Sequence, residues 1–246
     1  MKIEPGILKY LKGEAFQNNL NVVIGKEKHE IISREKTIID FIRDKDVVHI
    51  GCSDHIQIIN SKIRNNLWLH KLITENAKKC IGIDIDRESI DYIKKELGYQ
   101  NVIYGNILTD EFKDLKENKW DYAVFGEIIE HLDDPVNFLK VFKAKYGENV
   151  NRFIITVPNI YNKRQFINMK NYREVINSDH RFWFTPYTIS KVLVSAGYNP
   201  EKLDYSNLQS LGITDLLKRK IKRIAGIKPA YPFYYFNTII ISGTIN

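Results

Sequence analysis

The sequence predicts an α/β fold with a doubly wound, seven-stranded sheet that is mostly parallel and carries a terminal antiparallel strand. Short apolar segments rich in β-branched residues alternate with segments of helical periodicity. Five such alternations favour parallel strands joined by crossover helices. The last two strand-like segments lack a helix-sized apolar repeat that covers both faces, so we expect them to be antiparallel.

Strands are expected where apolar runs stop at glycine or polar residues, and helices where apolar residues recur every three or four positions. Asp86, Asp134 and Thr185 are N-cap types, and Gly98 and Gly197 are typical helix terminators. The predicted strands are 46–50, 80–84, 101–105, 120–125, 152–157, 202–205 and 235–242. The predicted helices are 33–43, 65–79, 86–98, 135–146 and 186–197.

The 246 residues are expected to form one domain, because no Pro/Gly/Ser-rich linker divides them. Residues 1–32 are polar and interrupted by glycines, which suggests an N-terminal segment that covers a ligand. Residues 206–234 are expected to be an insertion before the last strand, and 216–227 within it is basic and amphipathic. That segment either packs on the domain or contacts anionic lipid or a lipid-linked or diphosphate-linked substrate.

The formal net charge of +7 favours acidic partners such as phosphorylated small molecules, nucleic acid or an anionic membrane. The cysteines, Cys52 and Cys80, are too few for a disulfide framework. The first thirty residues contain neither a signal-peptide core nor a membrane-spanning segment. We therefore expect a soluble, cytoplasmic protein.

Two residues at predicted strand ends indicate a ligand site. Gly51 comes directly after the strand 46–50, and a glycine there lets the backbone approach a ligand closely. Asp84 ends the next strand, where an acidic side chain is placed to accept hydrogen bonds from a ribose diol.

A cluster of ionisable residues follows the strand 120–125. Glu127, Glu130 and His131 stand at helical spacing, so we expect them to share one face of a helical turn. Two carboxylates and an imidazole would then converge beyond the end of the strand, where open α/β sheets bind ligands.

Six segments, taken together, resemble a class I S-adenosylmethionine-dependent methyltransferase of the branch that includes ubiquinone-pathway O-methyltransferases and enzymes that modify surface-polysaccharide sugars. The resemblance covers roughly residues 33–205 and lies in the order and spacing of the segments. It implies a Rossmann-like domain, methyltransferase activity and S-adenosyl-L-methionine as cofactor. The segments read VVHIGCSDH, CIGIDID, NVIYGN, WDYAVFGEIIEHLDDP, FIITVPN and HRFWFTPYTISKVLVSAGY.

The resemblance also implies which positions bind the cofactor. The family usually has an acidic residue where this chain has His49, and a neutral imidazole there can still accept a hydrogen bond from the cofactor's amino group. Asn106 stands where an aspartate is common. The implied set is His49, Gly51, Cys52 and Ser53 along the methionine part, Asp84 on the ribose, Ile85 and Ile107 around the adenine, Asn106 near its amine, and Gly126 with Glu127 beside the sulfonium.

Methyl transfer to an alcohol requires the acceptor oxygen to be aligned with the donor and relieved of its proton. Small-RNA 3′-end 2′-O-methyltransferases carry a similar Glu-x-x-Glu-His turn and a later histidine, which bind a divalent ion. The resemblance therefore implies a metal site at Glu127, Glu130, His131 and His180, with Mn²⁺ favoured over Mg²⁺ by the nitrogen ligands. Glu127, His131 and His180 are the predicted catalytic residues. Two alternatives stay open, a solvated turn and a metal-free general base at His131 or His180.

The predicted reaction is O-methylation of a sugar hydroxyl on a nucleotide- or lipid-linked precursor of a surface polysaccharide. Basic residues in 161–173 follow the fifth strand, where the family places its acceptor, and they suit a phosphorylated substrate. An RNA ribose 2′-O-methyltransferase is a second hypothesis, disfavoured because no RNA-binding tract is apparent. A protein that binds the cofactor without catalysis is a third.

Overall fold

A computed structural model of the chain describes residues 5–24, 27–212, 216, 220–221 and 224–246. Strands β1 to β9 are His29–Glu30, Asp46–Ile50, Lys79–Asp84, Val102–Tyr104, Trp120–Gly126, Val150–Pro158, Asn199–Leu208, Ala230–Tyr231 and Phe236–Thr244. Helices α1 to α9 are Pro5–Lys12, Arg34–Ile42, Ile56–Arg64, Leu69–Asn76, Arg87–Lys95, Lys113–Glu117, Pro135–Tyr146, Lys163–Lys170 and Pro186–Ser195. Short 3₁₀ turns cover Ile129–His131 and Phe233–Tyr235.

Seven strands form the main sheet in the order β4-β3-β2-β5-β6-β9-β7. Strand β9 is antiparallel to both of its neighbours, and the other pairs are parallel. The predicted mostly parallel, doubly wound sheet is confirmed. The antiparallel strand lies inside the sheet, where its apolar run is paired on both sides: Ile239, Ile240 and Ile241 are buried.

The core has one layer on each face of the sheet, because successive residues of a strand point to opposite faces. In β5, Phe125 packs on the α7 side, with its ring centroid 5.1 Å from that of Phe142. Val124 points the other way, into a cluster with Ile38 of α2 and Ile73 of α4. These two layers hold β5 rigidly, so the turn that follows it starts from a fixed point.

The segment before the main sheet and the insertion before the last strand meet in a second, two-stranded sheet, in which β1 pairs antiparallel with β8. Helix α1 packs against α9, where Lys191 Nζ donates to the Tyr10 carbonyl at 2.5 Å. The predicted amphipathic segment 216–227 lies partly outside the described residues, at 217–219 and 222–223. Among the helices described, none has the length and apolarity needed to span a bilayer.

The segment between β2 and β3 differs from the sequence prediction. One helix was expected over 65–79, but the structure has α4 at Leu69–Asn76 only, and before it α3 at Ile56–Arg64, which the sequence analysis did not predict. Asn66 has a φ of +55°, a left-handed conformation that ends a helix. Periodicity did not reveal that Asn65 is the C-cap of α3 rather than the start of the next helix, because asparagine also occurs inside helices.

Candidate active site at the carboxyl edge of the sheet

The loops that follow β2, β3, β5 and β6 meet at one edge of the sheet. Ile50 pairs with Ile83 on one side and with Phe125 on the other, so these three strands end at the same level. Gly126 pairs with Thr156 of β6. The parallel register therefore brings the predicted cofactor residues and the 127–131 turn to the same end of the molecule.

The loop after β2 is in direct contact with the turn after β5. Gly51 has a φ of +72°, and a Cβ placed on it would lie 2.2 Å from Ile128 Cγ2. Only glycine fits this close approach without displacing the turn. The two loops thus pack against each other at Gly51, where any side chain would collide with Ile128.

The Asp84 carboxylate is fixed by two backbone donors. The Ser53 N–H donates to Oδ2 at 2.9 Å, and the Asp86 N–H donates to Oδ1 at 3.0 Å. Each carboxylate oxygen has capacity for a further hydrogen bond, which is what recognition of a diol requires. Asp84 therefore ties the loop after β2 to the end of β3 while its side chain is half-buried.

The predicted adenine-contacting residues are placed differently from one another. Ile85 is 63% exposed at the end of β3, whereas Ile107 is buried in the core. Leu108, the next residue, is 41% exposed. The Asn106 Oδ1 accepts from the Leu108 N–H at 2.9 Å, so this side chain shapes its own loop. Ile85 and Leu108 are thus the exposed apolar pair at this edge.

His49 is buried beneath the edge rather than lining it. Its Nδ1 lies 3.3 Å from Nδ1 of His70, and burial lowers the pKa of His49 well below its usual value. A Cβ built on Gly126 would lie 3.5 Å from His49 Nε2, so the imidazole sits under the Gly126 backbone. Cys52 is also buried, and desolvation raises the pKa of its thiol. Both imidazole and thiol are therefore neutral at pH 7.

The turn after β5 is not the single helical turn expected from the sequence. Glu127 has a φ of +57°, and the 3₁₀ turn begins only at Ile129. The prediction of one helical face for Glu127, Glu130 and His131 is therefore wrong. Because Glu127 lies in the left-handed region, its side chain leaves the turn in a different direction from that of Glu130.

Glu130, His131 and His180 come together in a cluster that we call the EHH cluster. One side-chain donor atom from each lies within 4.8 Å of the others. The ring centroids of the two histidines are 4.6 Å apart, with the rings perpendicular. His180 Nε2 is 3.9 Å from Glu130 Oε1. The 181–182 backbone is bound to the same turn, since the N–H groups of both residues donate to the Glu130 carbonyl.

The electrostatics of the EHH cluster favour the binding of a cation. The Glu130 carboxyl is fully buried, and neither of its oxygens has a hydrogen-bond partner among the described residues. Desolvation raises its pKa to about 8. Burial also lowers the pKa of both His131 and His180, so the imidazoles are neutral and able to act as ligands. A carboxylate and two imidazoles form a donor set that fits a divalent transition ion.

Glu127, the fourth predicted ligand, is bound elsewhere. Its Oε2 forms an ion pair with Arg34 Nη1 at 2.6 Å, and its Oε1 accepts from Thr238 Oγ1 at 3.3 Å. Its charge still raises the pKa of Glu130. Arg34 is buried and also binds Glu35 at 3.1 Å. Sequence reasoning missed Arg34, because an arginine at the first position of an ordinary helix gives no signal of a buried partner.

The sheet order, with its internal antiparallel strand, and the glycine loop and Asp84 at one edge define a Rossmann-like methyltransferase fold. The chain belongs to the methyltransferase-domain family, whose model matches residues 26–203. It is thus a methyltransferase with S-adenosylmethionine as methyl donor, as the resemblance of its motifs implies.

Several solved methyltransferase structures share this fold. A possible histamine N-methyltransferase from Thermotoga maritima has a TM-score of 0.55 and 17% identity over 87% of this chain and 88% of that one. A SAM-dependent methyltransferase from Archaeoglobus fulgidus has a TM-score of 0.51 and 17% identity over 86% and 91%. The small RNA methyltransferase HEN1 has a TM-score of 0.54 and 15% identity over 93% of this chain but 27% of its own. No curated protein sequence matches significantly.

Proposed function

We propose that this methyltransferase methylates a hydroxyl group of a sugar and that the EHH cluster binds a divalent cation, Mn²⁺ before Mg²⁺, next to the acceptor. The observation that carries this proposal is the Glu130 carboxyl, buried without a hydrogen-bond partner among the described residues and beside two neutral imidazoles. With a pKa of about 8 this carboxyl keeps its proton near neutral pH, and a bound cation would compensate the charge of the ionised form. A cation bound there would lower the pKa of a coordinated hydroxyl.

Within this proposal the protein residues have separate tasks. Glu130, His131 and His180 would hold the ion, which would lower the pKa of the acceptor hydroxyl so that its proton leaves to solvent. Without a cation, an uncoordinated imidazole of His131 or His180 would instead receive that proton as the methyl group is transferred. Glu127, paired with Arg34, orders the turn beside the sulfonium and supplies negative charge near the ion. This arrangement retains Glu127 in the site without requiring it to leave its ion pair.

The proposed cofactor path runs along the carboxyl edge. Asp84 accepts from the ribose hydroxyls, and Ile85 contacts the adenine together with Leu108 rather than with the buried Ile107. Gly51, Cys52 and Ser53 present backbone to the methionine part. The location of His49 under Gly126 supports a role in fixing the loop rather than in touching the cofactor.

An open cavity of about 520 Å³, connected to the EHH cluster through Trp183 of its lining, supports an acceptor of sugar size or larger. Trp183 lines it, with its ring centroid 6.2 Å from that of His180. Tyr161 and Phe166 add aromatic faces of the kind that stack on sugars, and Arg173 adds a cation. This lining supports a nucleotide- or lipid-linked sugar, in which an anionic phosphate accompanies the ring.

The test is turnover of S-adenosylmethionine to S-adenosylhomocysteine on a panel of free, nucleotide-linked and lipid-linked sugars, before and after chelation. We expect turnover on a phosphate-linked sugar that EDTA abolishes and Mn²⁺ restores. Full activity in EDTA would refute the role of the cation. Turnover on no sugar, together with turnover on a small molecule of another class, would refute the acceptor.

Methylation of an RNA ribose is the second candidate, because the chain shares its fold with HEN1 over 93% of its length. A ribose 2′-hydroxyl next to a 3′-hydroxyl would offer two neighbouring oxygens to the cation proposed at the EHH cluster. Including a short RNA and its 3′-deoxy analogue in the same panel separates the two proposals. Turnover on the RNA alone would favour this candidate over a sugar precursor.

A further inference from the structure

Helix α8 and the loop after it carry large apolar side chains that nothing in the described structure covers. This short, fully described helix has no buried residue. Phe166, Ile167 and Met169 are each at least 50% exposed, and Tyr172 is 99% exposed. Val175 and Ile176 extend the exposed apolar set. We call residues 163–176 the α8 surface. Contiguous exposure of this kind marks a contact with another molecule.

The α8 surface is basic as well as apolar. Lys163, Arg164, Lys170 and Arg173 alternate with its apolar residues, and its one acidic residue, Glu174, accepts from Trp183 Nε1 at 2.9 Å. Apolar side chains interleaved with lysine and arginine are characteristic of segments that lie in the interface of an anionic bilayer.

A groove of about 650 Å³ continues the α8 surface toward the end of the insertion. Its apolar walls are formed by Phe166 and Ile167 on one side and by the aromatic run 233–235 on the other. Lys163 and Lys170 also line it. Tyrosine and other amphipathic aromatic residues are enriched where a protein meets lipid headgroups, and lysines there face phosphate.

We infer that the α8 surface is a membrane-contact surface that binds an anionic phospholipid bilayer. Two other occupants fit the side chains less well. RNA would use the cations and aromatic rings, but Ile167, Val175 and Ile176 gain little from bases, since stacking needs a π face. A symmetric dimer would place the same cations of two copies against each other.

The surface differs from the segment 216–227, which the sequence alone suggested for lipid contact. It follows β6 and supplies Phe166, Met169 and Tyr172 to the cavity that Trp183 also lines. A membrane-bound enzyme would thus have that cavity facing the headgroups. The inference stands apart from the acceptor chemistry, because vesicle binding is measured without turnover.

The experiment is cosedimentation of the full chain with phosphatidylcholine vesicles, with and without phosphatidylglycerol. We expect binding to the anionic vesicles only, weakened as NaCl rises from about 0.1 M to about 0.5 M. The variants Ile167→Glu and Arg164→Glu/Lys170→Glu should each lose roughly tenfold or more in vesicle affinity. Thermal unfolding of each variant establishes that it is folded.

Matched controls make changes of the same charge elsewhere on the surface. Ile58→Glu alters another exposed isoleucine, and Lys95→Glu/Lys140→Glu alters two exposed lysines. Both controls should bind as the wild type does. Equal loss in controls and test variants would overturn the inference, as would absence of wild-type binding. Preferential binding of RNA would overturn the inference and assign the α8 surface to RNA. A dimer that only the α8 variants dissociate would assign it to a second copy of the chain.

Fluorescence locates the contact. Trp68 and Trp120 are buried, whereas Trp183 lines the cavity that α8 borders. Brominated lipids should therefore quench wild-type fluorescence on binding, and Trp183→Phe should remove most of that quenching. Vesicle binding without quenching would place the contact on another surface and would contradict the inference.

Discussion

His180 Nε2 lies 3.9 Å from Glu130 Oε1, although the two residues come from separate parts of the chain. The contact is supported by the backbone, because the N–H groups of Arg181 and Phe182 both donate to the Glu130 carbonyl. Arg181 also donates to the His131 carbonyl at 2.6 Å. The segment that carries His180 is thus bound to the turn that carries the other two members of the EHH cluster.

Replacing His180 by alanine should weaken Mn²⁺ binding by tenfold or more, because one of three donors is lost from the EHH cluster. His55→Ala is the matched control, since that exposed histidine lies near Asp179 but outside the cluster. Its Mn²⁺ affinity should stay within threefold of the wild type. The Mn²⁺ affinities of the wild type and of the two variants are obtained by measuring free Mn²⁺ with electron paramagnetic resonance. Equal affinities in all three proteins would mean that the cluster does not hold the ion.

The free energy of unfolding in EDTA should fall as the pH rises from about 7 to about 8, by about 1 kcal/mol. Glu130 keeps its proton up to a pKa of about 8 when folded, against an ordinary value of 4.5. The unfolded state therefore binds fewer protons in this window, which lowers stability as pH increases. Urea unfolding at several pH values measures how the free energy of unfolding changes with pH, and this dependence should be weaker in Glu130→Gln. An unchanged slope in that variant would contradict the assignment.

Asp84→Asn should weaken S-adenosylhomocysteine binding by tenfold or more in calorimetry, because an amide offers one acceptor oxygen where the carboxylate offers two. The same change also disturbs one of the two backbone bonds that Asp84 accepts. Asp91→Asn, an exposed change on α5, should leave the affinity unaltered. Wild-type affinity in Asp84→Asn would exclude a role in holding the ribose.

Gly51→Ala should destabilise the protein by roughly 2–4 kcal/mol, since it combines left-handed strain with a clash. The new methyl group would lie 2.2 Å from Ile128 Cγ2. Gly98→Ala separates the two causes, because Gly98 has a φ of +78° but a methyl group added there would meet no atom within 4 Å. Urea unfolding should give a smaller loss for Gly98→Ala, limited to backbone strain. Equal losses would show that the contact with Ile128 contributes nothing.

Arg34→Met should destabilise the protein by roughly 3 kcal/mol, because it leaves the carboxylates of Glu127 and Glu35 without their buried cation. Adding Glu127→Gln to this variant should recover part of the loss, since the unpaired charge is then removed. A double-mutant cycle in urea measures the coupling between the two side chains. Additive losses would mean that the 2.6 Å ion pair does not stabilise the turn.

The positions of the strands along the chain were predictable because they follow from short-range patterns, whereas their order in the sheet came from the structure. Apolar runs such as 46–50 and 120–125 give strands, and the parallel register then brings Gly51, Asp84 and Gly126 to one edge. The N-caps were equally local: Asp134 caps α7 and Thr185 caps α9, each followed by a proline. Strand patterns and N-caps depend on neighbouring residues, and the handedness of the connections between strands follows from the twist of the sheet.

The direction in which Glu127 points was not predictable, because it depends on one backbone angle. Helical spacing suggests a face shared with Glu130, but the φ of +57° at Glu127 turns its side chain toward Arg34. The burial of His49 beside His70 was not predictable either, since His70 belongs to α4, 21 residues further along the chain. Neither effect leaves a mark in the local sequence.

The sequence by itself determined the sheet, the family resemblance and the residue types at the carboxyl edge, because these arise from periodicity and spacing along the chain. Only the tertiary structure decided that three of the four proposed ligands form a cluster while Glu127 pairs with Arg34. It also decided that α8 presents its apolar side chains outward. Contacts between distant segments depend on how elements pack, and packing is set by the whole chain at once.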